Sequence, residues 1–150
     1  MIGINDSILF IGLGGAGQRH LRILRKLLPE NKFFAFRKRN SSPLLKTNFK
    51  VDYSSSIEEK YNVESFYDED KLKILIPKIT IISSPTIFHT QHALLAKKLG
   101  SNVFVEKPGI ASKSDIDLLE KKFKRSELFL KVGFQRAYHP MLERVFKEIK

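Results

Sequence analysis

Ser7-Ile8-Leu9-Phe10-Ile11-Gly12-Leu13-Gly14-Gly15-Ala16-Gly17 decides how this chain folds. Its first five residues read as a short buried strand, an unbroken apolar run that stops at a glycine. The glycines then follow the pattern G-x-G-x-x-G at Gly12, Gly14 and Gly17. From Ala16 the apolar period changes. Ala16, His20, Leu21, Leu24, Leu27 and Leu28 recur every three or four residues, with Arg19, Arg22, Arg25 and Lys26 between them. That spacing predicts an amphipathic helix that stops near Pro29. A helix opening directly after a glycine turn offers free N–H groups and a partial positive charge to phosphate. Gly12 then allows the tight turn, Gly14 lets backbone approach a pyrophosphate, and Gly17 lets helix and strand pack closely. Gly12, Leu13, Gly14, Gly15 and Ala16 are the candidate phosphate-binding residues. A glycine-rich turn without a ligand is the plainer reading of the same pattern.

The alternation continues along the chain. Strands are expected at residues 32–36, 62–66, 78–83, 102–105 and 129–134, the second of these the weakest. Residues 38–53, with Ser41-Ser42-Pro43, read as loop. A short helix at 56–61 has Ser56 as N-cap and Glu59 completing a capping box. Residues 68–75 form a second short helix that Pro77 ends. Residues 86–99 are helical, with Gly100 as the left-handed residue beyond the end. Residues 112–124 are helical, with a Ser cap and Asp115 in the first turn. A final helix spans 139–150, with Pro140 in its first turn. The expected architecture is α/β: a doubly wound, mostly parallel sheet of the Rossmann type, with right-handed crossovers and helices on both faces.

The chain has 150 residues, 42% of them hydrophobic, enough for one core but hardly two. Residues 1–150 are therefore read as one dinucleotide-binding domain. There is no cysteine, which excludes disulfides, thiolate nucleophiles and Cys-ligated zinc. No H-E-x-x-H occurs and the four histidines are scattered, so no metal site is expected. No apolar run reaches membrane-spanning length and the N-terminus does not read as a signal peptide, so a cytoplasmic location is expected. The 27 Lys and Arg against 16 Asp and Glu leave a charge of +11. That excess fits nucleic acid, an anionic small ligand or plain solubility. The cations fall in separate groups, at 19–26, 37–39 and 121–125, without a recognition helix, which argues against nucleic acid.

In such a sheet, ligands bind outside the carboxyl ends of the strands, where the winding reverses. The second strand ends in Phe36-Arg37-Lys38-Arg39, where an NAD-binding domain usually carries a carboxylate for the ribose. Arg37, Lys38 and Arg39 suit the 2′-phosphate of NADP, which is preferred here over NAD; a solvated basic loop is the plainer alternative. Ser83, Ser84, Pro85 and Thr86 follow the fourth strand as candidate cofactor contacts, and His89 lies just beyond. Thr86 fits a helix N-cap equally well, and His89 a plain first-turn residue. Glu106-Lys107-Pro108 follows the fifth strand. There Lys107 can exchange a proton with a substrate hydroxyl and stabilise a developing alkoxide, with Glu106 orienting it. A surface lysine is the commoner meaning of that spacing alone. Gln135 and Arg136 are expected to face the same crevice. His20 reads as packed against the loop, and His139 as a residue that caps or precedes the last helix.

Four segments together resemble the glucose–fructose oxidoreductase / inositol dehydrogenase / MocA (Gfo/Idh/MocA) family. They are Gly12-Leu13-Gly14-Gly15-Ala16-Gly17-Gln18-Arg19-His20, Ser84-Pro85-Thr86-Ile87-Phe88-His89, Val105-Glu106-Lys107-Pro108 and Val132-Gly133-Phe134-Gln135-Arg136, in family order across nearly the whole chain. Glu-Lys-Pro at its distance from the glycine loop is the specific element. The Arg37-Lys38-Arg39 end of strand two looks like a subset of the family without the acidic residue. The resemblance implies an NAD(P)-dependent oxidoreductase acting on a sugar, polyol or sugar nucleotide, with Lys107 matching the active-site lysine. It also implies a second, substrate-binding domain beyond Lys150, absent from this chain, and a homo-oligomeric full-length form. On that expectation the 150-residue chain alone turns over little or no substrate. A non-catalytic NAD(P)-binding sensor or partner subunit is the alternative reading of the same crevice.

Overall fold

A computed structural model describes residues 2–38 and 42–149 of the chain. Six strands form one parallel sheet: β1 (Ser7–Ile11), β2 (Lys32–Phe36), β5 (Val63–Phe66), β6 (Ile79–Ile82), β7 (Asn102–Val105) and β8 (Leu130–Val132). Their order is β5-β2-β1-β6-β7-β8, the doubly wound arrangement expected from the sequence. Two further strands, β3 (Leu44–Leu45) and β4 (Val51–Asp52), pair antiparallel as a small hairpin. This hairpin lies within the stretch read as loop. Its two-residue strands are too short for any period to register.

Side chains of β1 alternate between two cores. Ile8 and Phe10 join Phe33, Ala35 and Val63 on one face, beneath α1 (Gly15–Leu27) and α2 (Ile57–Tyr61). Leu9 and Ile11 join Phe36, Val103 and Val105 on the other, beneath α3 (His89–Lys98) and α4 (Lys113–Phe123). Burial on both faces is why β1 reads as a continuous apolar run. Each of its four buried side chains contributes about 2 kcal/mol from leaving water. The core side of α1 carries Gly17, Gln18 and Leu21, with Leu24 and Leu28 packed on the same cluster; Leu27, read as part of the apolar stripe, is exposed.

Local signals place the helix ends. The Ser56–Glu59 capping box is formed, Ser112 accepts the Asp115 N–H, and His139 Nδ1 accepts the Met141 N–H at the start of α5 (Pro140–Glu148). Gly100 takes a left-handed φ of 71° after α3, as expected of its position. The segment read as a helix at 68–75 is a single 3-10 stretch, Asp70–Ile74, and Thr86–Phe88 forms another before α3. Arg25 explains how α1 ends: its guanidinium donates to the carbonyls of Pro29, Asn31, Tyr61 and Asn62 and stacks 3.9 Å over Phe33. Among the described residues no helix is long and apolar enough to cross a membrane.

Close packing of α1 on the sheet makes one glycine irreplaceable. A Cβ on Gly17 would collide with the Gly12 carbonyl oxygen and the Ser83 hydroxyl, whereas one on Gly14 would meet nothing within 4 Å. Gly17→Ala is therefore expected to lower unfolding stability by about 2 kcal/mol in urea titrations, and Gly14→Ala by less than about 0.5 kcal/mol.

Candidate functional site

The crevice lies outside the carboxyl ends of β1 and β6. These strands are neighbours, but the chain leaves β1 for α1 on one face and β6 for α3 on the other. Connections that diverge in this way leave a crevice between them. Gly12, at φ 90°, turns the chain out of β1, and its N–H donates to Phe36 O on β2. The Ser83 hydroxyl donates to Gly12 O at 2.7 Å, locking the ends of β1 and β6 together. Gly14 is the N-cap of α1, with no side chain capping the helix. Free N–H groups behind an open glycine fit an anionic diphosphate. Of the other loop candidates, Ala16 is exposed, whereas the Leu13 side chain lies in the core, so Leu13 offers only backbone.

Buried Gln18 is a site residue that composition and motif reading passed over. Its Nε2 donates to Leu13 O and Pro43 O at 3.0 and 2.9 Å, and its Oε1 accepts the Leu45 N–H at 2.7 Å. The β3–β4 hairpin is thereby pinned beside the glycine loop, with the Phe49 ring against Gly15.

At the adenosine end of such a crevice, strand parity separates two residues that the sequence groups together. Phe33 and Ala35 face α1 and α2, so Arg37 continues onto that side; Lys38 takes the other. Arg37 is 4% exposed, ion-paired with Glu58 of α2, and donates to Ser42 O at 3.4 Å. It is thus a scaffold residue, and the expectation that it meets a 2′-phosphate is corrected. Glu58 also accepts the Ser65 hydroxyl at 2.6 Å. Burial opposes the Glu58 charge, but Ser65, its own backbone N–H and Arg37 outweigh it and hold the carboxyl below its ordinary value. Lys38 is exposed, with its ammonium 5.1 Å from the centre of the Phe88 ring. Arg39, and the side chain of Arg136, lie outside the described residues.

The β6–α3 loop is built on two histidines. Ser84 Oγ lies 2.8 Å from Nδ1 of His92, whose ring packs edge-on to Phe36. Burial first, then the charges of Lys38 and His89, pushes His92 down to about 4, so it is neutral at pH 7. His89 is 2% exposed, with Nε2 2.7 Å from Ser84 O and Nδ1 3.1 and 3.2 Å from Pro108 O and Gly109 O. Its ring ties two crevice loops together, so the cofactor contact considered for it gives way to a structural role. Pro85, which is exposed, and not Thr86, is the N-cap residue before the Thr86–Phe88 turn.

At the opposite end, Lys107 is exposed just beyond β7. Its N–H donates to Glu106 Oε2 at 3.0 Å. Glu106 Oε1 lies 2.6 Å from His20 Nε2 and accepts from Gln135 Nε2 at 3.0 Å. Glu106 thus gathers the Gln135 side chain, the backbone N–H of Lys107 and His20 of α1, whereas the orienting contact expected between Glu106 and the Lys107 ammonium is not among these bonds. A concavity of about 610 Å³ lies elsewhere, between α4 and β8. It is lined mainly by the apolar side chains of Ile116, Leu119, Phe123, Leu128 and Phe129, together with Glu120 and Lys124.

An uncapped glycine-rich helix start at the switch point of a doubly wound parallel sheet defines a dinucleotide-binding domain of the Rossmann class. Over residues 7–134 the chain matches the family described as "Oxidoreductase family, NAD-binding Rossmann fold" (GFO_IDH_MocA), and it belongs to that family. It is 26% identical over 142 residues to a myo-inositol 2-dehydrogenase of Thermotoga maritima, covering 93% of this chain and 38% of that protein. It is 25% identical over 132 residues to 1-carboxy-3-chloro-3,4-dihydroxycyclohexa-1,5-diene dehydrogenase of Comamonas testosteroni, covering 87% of this chain and 32% of that one. The crystal structure of scyllo-inositol dehydrogenase from Lactobacillus casei, with bound NAD(H) and scyllo-inositol, shares the fold at a TM-score of 0.78 and 20% identity, over 97% of this chain and 41% of that one. UDP-N-acetylglucosamine 3-dehydrogenase from Acidithiobacillus ferrooxidans does so at 0.74 and 20%, over 99% and 44%. The chain therefore spans 32–44% of the length of these relatives, less than half of each.

Separate duties for neighbouring cations have a thermodynamic signature. Arg37→Ala, which removes a buried guanidinium and leaves Glu58 only its Ser65 and backbone partners, is expected to cost about 2 kcal/mol of unfolding free energy at neutral pH, and Lys38→Ala less than about 0.5 kcal/mol. A carboxylate with a lowered folded pKa stabilises above its ordinary pKa of 4.5 and loses that contribution as pH falls through the folded value. Urea midpoints measured from pH 7 to pH 3 should show the wild type converging on Arg37→Ala in acid.

Proposed function

We propose that this chain is the cofactor-binding part of an NAD(P)-dependent oxidoreductase acting on a hydroxyl of a sugar, cyclic polyol or sugar nucleotide. The observation that carries the reading is the uncapped start of α1 at Gly14, beneath open space, with Lys38 and Lys107 on opposite sides of the crevice. Backbone N–H groups of Gly15, Ala16 and Gly17 hold the diphosphate. Gly12 and Leu13 shape that cradle, with Ser83 bracing it from β6. Ser84, Pro85 and Thr86 line the wall between the two ends, with His89 behind them. Glu106 and Gln135 support the nicotinamide end. Bound nicotinamide supplies a hydride donor or acceptor at its ring. Lys107 holds the substrate hydroxyl and exchanges its proton, and the ammonium stabilises negative charge developing on that oxygen.

NADP is the preferred cofactor in this proposal, and Lys38 is the residue that selects it. Lys38 occupies the side of the strand end that faces the β6–α3 loop, where an NAD-specific domain would place a carboxylate. Its ammonium suits a dianionic 2′-phosphate, and the neighbouring Phe88 ring offers a flat apolar surface to the adenine. The inositol dehydrogenase relatives support the cyclic polyol, and the UDP-N-acetylglucosamine dehydrogenase supports the sugar nucleotide.

Fluorescence titration with NADPH and NADH tests the assignment. Wild type is expected to bind NADPH more tightly, and Lys38→Asp to weaken NADPH about tenfold or more while sparing NADH. Tighter binding of NADH by the wild type, or unchanged NADPH affinity in Lys38→Asp, would contradict it.

A further inference from the structure

We infer that His20 is a positioning residue for Lys107, acting through the Glu106 carboxylate. The inference rests on the role proposed for Lys107. Glu106 is a three-way junction. Its Oε1 takes the bonds from His20 Nε2 at 2.6 Å and Gln135 Nε2 at 3.0 Å, and its Oε2 takes the Lys107 N–H at 3.0 Å. The Glu106 backbone is anchored as well, its N–H donating to Ile82 O at 2.8 Å. The junction therefore joins α1, the carboxyl ends of β6 and β7, and the turn after β8.

His20 is the partner best placed to set this geometry. Its side chain and that of Glu106 are 18% and 13% exposed, so their bond is largely shielded from water and short enough to be strong. The His20 ring packs edge-on against Phe104, with centroids 5.4 Å apart, which fixes the plane in which Nε2 points. Gln135 is exposed and restrains the same oxygen from outside. Through His20, the backbone of Lys107, from which its side chain springs, is referred to α1, the helix proposed to cradle the diphosphate.

That link has a chemical purpose. The covalent structure of a dinucleotide fixes how far its reacting end can lie from its diphosphate. A lysine serving the reacting end must keep a matching distance from α1, because an error of 1 Å can cost about a hundredfold in rate. A loop held only by its own backbone would leave that distance free to vary. The His20–Glu106–Lys107 bonds span it directly.

The Lys107 amide reports the last of these bonds without any added nucleotide. In the ¹⁵N-labelled 150-residue chain, its hydrogen-exchange rate and proton shift can be read for His20→Phe, which keeps a ring beside Phe104 but no donor. His20→Gln is the conservative variant that keeps a donor. His20→Phe is expected to speed Lys107 exchange about tenfold and move its proton upfield, while His20→Gln stays within about twofold of wild type. The β1 amides should stay unchanged in both. An unaltered Lys107 signal in His20→Phe overturns the inference, as does a His20→Gln response equal to that of His20→Phe. Should His20→Phe loosen the whole domain, the proton shift, a native-state property, still decides. NADPH titration of the wild type runs in parallel. Absence of binding there, with the Lys107 response intact, would defeat the functional reading and leave the positioning bond standing.

Discussion

Helix α1 can begin at the carboxyl edge of the sheet because Gly17 rests directly on the Gly12 carbonyl and the Ser83 hydroxyl. No side chain fits in that contact. It brings the N-terminus of α1 over the ends of β1 and β6 and leaves Gly14 facing open space. The same contact brings Gln18 to the β3–β4 hairpin and His20 to Glu106. One backbone approach thus organises both the open start of α1 and the loop that carries Lys107.

The fold was legible because its signals are local. β1 is buried on both faces and reads as an unbroken apolar run, and the caps at Ser56, Ser112 and His139 need only neighbouring residues. The hairpin was not legible, because two-residue strands have no period and its anchor is a side chain some 25 residues away. Leu27 was misassigned because three- and four-residue spacings admit adjacent stripes on one helix. The polar core face of α1, marked by Gln18, is invisible to a search for apolar residues.

The site was legible in type more than in detail. Arg37, Lys38 and Arg39 look equivalent in a string of cations. Strand parity, once the cores of β2 are assigned, sends Arg37 to Glu58 and Lys38 to the side of Phe88. His89 follows a motif and looks like a ligand-facing residue, yet both ring nitrogens lie against backbone carbonyls. His20 and Glu106 are 86 positions apart, a pairing that only the folded sheet brings about. The basic excess also divides. Arg25 and Arg37 serve the fold through carbonyl and carboxylate partners, while Lys38 and Lys107 stay exposed at the crevice.

The family match spans residues 7–134, and within it α1 opens uncapped at Gly14. The most direct measurement is the ¹⁵N–¹H spectrum of the chain during NADPH titration. The amides of Gly14, Gly15, Ala16 and Ser84 are expected to shift together and saturate at one stoichiometric site. If NADPH leaves those four unmoved, or perturbs only surfaces away from the carboxyl edge of the sheet, α1 is not the nucleotide site.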